Sequence, residues 1–426
     1  MTSAPPLLSF GVLLRYGLLA LPLAFSGLPI YIHAPDFYAT QMAVPLAAIG
    51  LVLLALRIID AVQDPLIGSI SDRFHPQRRW VMLLGLVMLA GGFVMVFHPL
   101  TSMPLLWLAL SIFICTTGFS IVSINYQALG GLWDVDRASR TRVAGWREGL
   151  GLIGLLTASI TPTLLMQYFT PRAGFAFLSL AYLPLLLLIS LLFFGWWRRA
   201  TIMAPAPDSV PLRFTDLLRD PWVRRFFALY LLSASASSIP AVLVLFFIRD
   251  YLGAEPLTGV FLLLYFLSGV AAMPIWTRAA RIYGKVAAWR YSIFLATATF
   301  VWAFFLAPGE AVAYGVICVL AGMAFGADLA LPPAIIADRI AATNHQRAAS
   351  RYYAGLTFST KAALALATGL ALPVLAMAGY QPGVTNASLA LPVMYALLPC
   401  IMKAFAGFLL WRFHARLTHG AGAENH

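Results

Sequence analysis

Charge is what this sequence has least of. Lys, Arg, Asp and Glu make up 10% of its 426 residues and hydrophobic residues 61%. A soluble domain carries charge on roughly a quarter of its residues, so a soluble fold is excluded and a polytopic membrane protein is expected. Acids are scarcer than bases, 16 against 28, for a net charge of +12. That excess does not point to nucleic acid, because the basic residues lie in short loops between apolar runs and form no stripe. The three cysteines, Cys115, Cys318 and Cys400, all lie within apolar runs, so neither a disulfide framework nor a thiolate metal site is expected. No Gly-x-Ser-x-Gly elbow, phosphate loop or His–Glu metal spacing is found. Hydrolytic chemistry is thereby removed, and an ATP-driven pump fails for want of a soluble nucleotide domain. The expectation is a non-enzyme with no cofactor beyond a coupling ion. No Lys or Arg precedes Arg15 and no small-residue cleavage site follows, so no cleaved signal peptide is expected.

What is abundant is apolar runs. About 20 apolar residues cross a bilayer. Twelve runs of this kind occur, at 9–33, 42–69, 80–98, 104–129, 146–168, 173–197, 223–248, 256–280, 287–307, 310–332, 351–379 and 388–412. The fold class expected is all-α, with twelve transmembrane helices in two six-helix halves. Residues 1–197 form the first half, 198–222 a linker, 223–413 the second half and 414–426 a tail. The linker holds Pro205, Pro207 and Pro211 and ends in an amphipathic stretch, Leu212 to Leu218, suited to the membrane surface. Basic residues fall on alternate connections, from Arg73, Arg78 and Arg79 through Arg137 to Arg142, the linker, Arg278 to Arg290, Arg339 and Arg347, to Arg412 and Arg416. The opposite set carries only Arg172 and Arg249. By the positive-inside rule both termini are expected in the cytoplasm, in an inner or plasma membrane. Asp72-Arg73-Phe-His-Pro-Gln-Arg78-Arg79-Trp80 is echoed weakly by Arg281-Ile-Tyr-Gly-Lys285-Val-Ala-Ala-Trp289, as two related halves would require.

The chemistry concentrates in Arg57-Ile-Ile-Asp60-Ala-Val-Gln63-Asp64-Pro65-Leu-Ile-Gly68-Ser-Ile-Ser-Asp72-Arg73. On a helix Arg57, Asp60 and Asp64 share a face. A carboxylate in hydrocarbon costs about 3 kcal/mol or more unless it meets a cavity, a partner or an ion. Two carboxylates one turn apart repel, so one holds a proton or both share a cation. Pro65 lacks an N–H and frees the carbonyl of Ala61 to coordinate. The bland alternative is an Arg57–Asp60 pair that neutralises itself in packing.

Other charges look intramembrane. Lys361 lies ten residues past Arg351, about 15 Å along the helix axis, near mid-membrane, and needs a carboxylate partner. Arg147 and Glu148 are adjacent, so they are expected on different helix faces, one toward a cavity and one toward the interface. Asp328, before Pro332 and Pro333, reads as part of a kink, and Lys403 as a residue that snorkels from the end of the last span.

The pattern from Arg57 to Arg73, with Arg351-Tyr-Tyr-Ala-Gly355-Leu-Thr-Phe-Ser359-Thr-Lys361 and Asp338, resembles the glycoside–pentoside–hexuronide:cation symporters of the major facilitator superfamily. The resemblance runs end to end in span order. It implies that Asp60 and Asp64 bind an exchangeable Na⁺ or H⁺, assisted by Gln63 and Ser120. It implies that Lys361 links cation and substrate sites and that Arg147 lies near the substrate. Arg57 and Glu148 join the coupling set. Asp72, Arg73, Arg78, Arg79 and Asp338 are expected to form a cytoplasmic gate. Its sugar-binding acids are missing: the family positions fall near Ala24 and at Ser123, and Gln127 stands where an aromatic residue stacks. The reading is a cation-coupled symporter of a small solute, with a monovalent cation and the lipid bilayer as its partners. A proton-driven exporter of amphiphiles, a lipid or lysolipid transporter and a non-transporting receptor are the alternatives.

Overall fold

The computed structural model describes residues 8–204, 212–380 and 389–420. Among them the secondary structure is helical, apart from one isolated bridge between Trp133 and Ile202. Twelve long helical segments follow one another: α1 (Phe10–Gln41), α2 (Leu46–Arg73), α3 (Arg78–Phe97), α4 (Pro104–Gly131), α5 (Arg137–Leu165) and α6 (Pro171–Trp197). Then come α7 (Pro221–Tyr251), α8 (Thr258–Tyr283), α9 (Lys285–Phe300), α10 (Ala311–Ala342), α11 (Ala349–Met377) and α12 (Ala390–Arg412). Among the described residues nine have both the length and the apolarity to cross a membrane. In lipid every backbone group must be satisfied within the segment, and helices do this without a partner.

The chain divides into two compact units, Met1–Phe214 with Asn344–Ala354, and Thr215–Thr343 with Gly355–His426. Helix α11 therefore starts in the first unit and continues in the second. Asn344, in the left-handed region at φ 55°, turns the chain between α10 and α11, a conformation asparagine tolerates better than most residues. Of the linker expected at 198–222, residues 205–211, with Pro205, Pro207 and Pro211, lie outside the described residues. Phe214–Arg219 is a short helix that buries Leu217.

The first unit is built on aromatic packing. Tyr16 of α1 meets Tyr126 of α4 and Trp196 of α6 at 4.8 Å between ring centres, and Trp133 meets Trp196 at 4.7 Å. In the second unit α8 and α10 approach through small residues: a Cβ on Gly322 would lie 2.1 Å from the Tyr265 carbonyl oxygen, and one on Gly326 2.5 Å from that of Gly269. Close backbone approach through glycines four apart is how helices associate where lipid is as apolar as leucine. Both α1 and α7, the first helix of each unit, contain a π-helical turn, at Pro29–His33 and Phe247–Tyr251.

Candidate functional site

Helix α2 runs unbroken through Pro65 and carries Asp60 and Asp64 into the first unit. Asp60 is 8% exposed and Asp64 fully buried. Gln63 Nε2 donates to Asp60 Oδ1 at 3.0 Å, and Ser120 Oγ of α4 donates to the same oxygen at 3.2 Å. Thr117 Oγ1 donates in turn to Gln63 Oε1 at 3.0 Å, fixing which end of the amide faces the carboxylate. The result is a polar cluster in which an amide and two hydroxyls surround the Asp60 carboxylate, with the buried Asp64 one helical turn away. Thr117 was not singled out in the sequence. The signal was present, because Thr117, Ser120 and Ser123 recur every three residues along one face of α4. Arg57 lies over the face of Tyr31, its guanidinium 5.0 Å from the ring centre, which gives it an aromatic partner that the self-neutralising Arg57–Asp60 reading did not include.

The second expected constellation is arranged differently. Arg147 is 4% exposed and donates from Nε at 2.9 Å and Nη2 at 2.6 Å to Glu148 Oε1. Adjacent residues do leave a helix in different directions, but the arginine stem is long enough to bend back. The two charges form one neutral unit, so the expectation of separate faces is corrected. Gln127 Nε2 donates to Ser123 Oγ at 3.1 Å, and both remain partly exposed. Their neighbours serve the fold: Asn125 Nδ2 donates to Ser71 Oγ, and the Tyr126 hydroxyl donates to the carbonyls of Tyr16 and Gly17.

Three turns along α2 from Asp60, Asp72 is an anchor. Its side chain is fully buried, and it accepts the backbone N–H of Ser350 at 2.9 Å and of Arg351 at 3.0 Å. It thereby caps the start of α11, where unpaired N–H groups and the helix dipole both favour a negative charge. Arg351 Nη1 and Arg78 Nη2 add charged bonds at 3.0 and 3.3 Å. Gly68 makes the approach feasible, since a Cβ there would lie 2.6 Å from Ala354 Cβ. Of the other residues expected at this gate, Arg73 and Arg79 are exposed, with Arg79 over Trp197. Asp338 is elsewhere: in the second unit it takes Lys285 Nζ on both oxygens at 2.7 Å. Gly284, at φ 81°, is the entire connection between α8 and α9. It sets Lys285 at the first turn of α9, buried. Lys361 lies on α11, in its second-unit portion, with intermediate exposure.

Two residues read as a snorkel and a kink form a polar centre instead. Lys403 is 6% exposed and pairs with Asp328 through Oδ2. Lys403 also donates to Ser233 Oγ at 2.9 Å, and Asp328 accepts from Trp289 Nε1 at 2.9 Å and Ser237 Oγ at 3.4 Å. A lysine snorkels only when its head can reach water, and here a carboxylate and a hydroxyl hold it inside.

Residues 14–416 match the family described as MFS/sugar transport protein. The chain belongs to that family. Among relatives of this MFS transporter is an uncharacterized symporter, YjmB, of Bacillus subtilis (strain 168). It is 22% identical over 403 residues, covering 89% of this chain and 86% of the relative. The inner membrane symporter YicJ of Escherichia coli (strain K12) is 26% identical over 203 residues, 45% of this chain and 43% of that one. In fold the transporter is similar to a bacterial homologue of the iron transporter ferroportin in an outward-facing state. The TM-score is 0.71 at 16% identity, covering 96% of this chain and 100% of that one. The transporter FucP in the outward conformation gives 0.65 at 13% identity, covering 93% and 97%. The protein is thus a multi-pass membrane transporter of the major facilitator type, with no enzymatic activity, and the twelve-helix expectation agrees with these folds.

Proposed function

We propose that this protein is a cation-coupled symporter of a small solute, sugar or related, in an inner or plasma membrane with both termini in the cytoplasm. The observation that carries the reading is the buried pair Asp60–Asp64 with Gln63, Ser120 and Thr117 around it. Such a site binds one positive charge, Na⁺ or H⁺, and relieves the repulsion of two close carboxylates. Several relatives bear the name symporter, which supports coupled transport. Coupling is then linkage: the cation binds most tightly in the conformation that also holds solute, so each raises the affinity for the other.

The solute differs from a simple galactoside in this reading. The family positions for sugar-binding acids are Ala24 and Ser123, and Arg147 is already satisfied by Glu148. A site lacking the groups that pair hydroxyls changes its specificity by large factors. An anionic solute gains Arg147 only by displacing Glu148.

The test is uptake of a solute panel into proteoliposomes, with Na⁺ gradients and with proton gradients. Replacing Asp60 or Asp64 by Asn is expected to abolish gradient-driven accumulation and to leave cation-free solute binding. Normal ion dependence in both single variants would sink the reading.

A further inference from the structure

The second unit contains a cavity of about 220 Å³ that the cation site does not use. Phe261, Tyr265, Phe300 and Phe325 supply its walls, and Asp328 and Lys403 form its polar end. An apolar cavity of about 150 Å³ accommodates benzene, so this one has room for an aromatic ring and a few further atoms. The polar end is neutral as a whole, because Lys403 and Asp328 are paired. Asp328 is well supplied, accepting from Lys403, Trp289 and Ser237. Lys403 has three N–H donors, of which Asp328 and Ser233 take two, and the third suits an acceptor oxygen.

We propose that this cavity is a ligand site of the second unit, and that it takes a neutral amphipathic molecule with a ring-sized apolar body and a hydroxyl or carbonyl oxygen that accepts from Lys403. Charge selects the class. A carboxylate near Lys403 meets Asp328, and an ammonium near Asp328 meets Lys403; a neutral head meets neither penalty while taking a charge-assisted hydrogen bond. The aromatic walls supply the apolar contacts such a body needs. The proposal does not depend on how the cation is bound.

Cysteine placement gives a test within the unaltered protein. Cys318 and Cys400 line the cavity, while Cys115 packs in the first unit against the Leu89 carbonyl. Purified full-length protein is alkylated with N-ethylmaleimide, with peptide-level mass spectrometry reading each cysteine. Three probes share one body: 3-phenylpropan-1-ol, 3-phenylpropanoate and 3-phenylpropylammonium. The alcohol is expected to slow alkylation of Cys318 and Cys400 saturably, leave Cys115 unchanged, and act at about tenfold lower concentration than either ion. Equal protection of all three cysteines, no protection, or stronger protection by an ion would overturn the proposal.

Unfolding temperature provides a second reading that needs no thiol reactivity. The alcohol is expected to raise it saturably in the wild type and not in Ala321→Phe, which fills the cavity from its wall. An equal rise in a folded Ala321→Phe protein counts against the site. Asp60→Asn is expected to keep the protection of Cys318 and Cys400, so that a failure of the coupling reading and a failure of this one leave different signatures.

Discussion

The residues that carry the cation reading stand two deep. Asp60 and Asp64 supply the charge, and behind them Thr117 orients Gln63, which with Ser120 orients Asp60. Partners of this outer kind cost about 10–100-fold in metal affinity when removed. Thr117→Val, which keeps the shape and deletes the donor, is expected to raise the half-saturating cation concentration about tenfold with solute affinity at saturating cation unchanged. Uptake measured across a cation series checks this, and an unchanged cation curve removes Thr117 from the site. Glu148 offers a second residue-scale expectation. Glu148→Gln leaves the buried Arg147 without its counter-charge, and breaking a buried pair costs about 3–5 kcal/mol. Since the Glu148 side chain is 26% exposed, the lower end applies, read as a fall in unfolding midpoint. An anionic solute added to that variant is expected to restore part of the midpoint. The carboxylates were legible in the sequence because intramembrane acids are expensive. Arg147–Glu148 and Lys403–Asp328 were not, because which way a long side chain bends depends on neighbours that helical spacing does not encode.

At the scale of elements, α2 joins two tasks. Its carboxylates at 60 and 64 form the cation site proposed above, and three turns on, Asp72 caps α11, the helix that carries Lys361. If the proposed cation site moves α2, the start of α11 is tied to that movement through two backbone hydrogen bonds. Asp72→Ala removes that cap and takes the counter-charge from Arg78, which is 5% exposed, with an expected loss of about 3–5 kcal/mol. Asp72→Asn keeps an acceptor for one backbone N–H and is expected to lose less. Equal unfolding midpoints for the two variants would refute the capping role. The motif was readable as a gate, but the sequence did not reveal that Gly68 and Asp72 meet Ala354, Ser350 and Arg351, residues some 280 positions away. Helix α5 gives a pH-dependent counterpart outside the membrane spans. Burial acts to raise the Asp136 carboxyl, but hydrogen bonds from Ser139 and nearby backbone N–H groups outweigh it and hold the group below the usual aspartate value. A depressed value contributes stability above the unfolded value and loses it as pH falls through the folded one. Asp136→Ala is expected to cost about 1 kcal/mol at neutral pH and less once Asp136 is protonated, so the two unfolding curves draw closer at low pH.

For the whole molecule, the apolar runs announced twelve helical segments because membrane thickness fixes span length, and no partner is needed to form a helix in lipid. The grouping of Asn344–Ala354 with the first unit was illegible, since it follows from tertiary packing around Asp72. Orientation follows from charge asymmetry. Arginines and lysines crowd one set of connections, and Arg172 and Arg249 alone stand on the other, so the crowded set is expected to face the cytoplasm. The three native cysteines are buried, which leaves the surface open for single reporters. Thr201, in the connection after α6, and Arg172, in the first turn of α6, are both exposed. On intact cells Arg172→Cys is expected to react with a membrane-impermeant maleimide and Thr201→Cys to react only after the membrane is opened. The reverse pattern would invert the molecule and place the capped start of α11 on the outside. Reaction of both on intact cells would mean that α6 does not span.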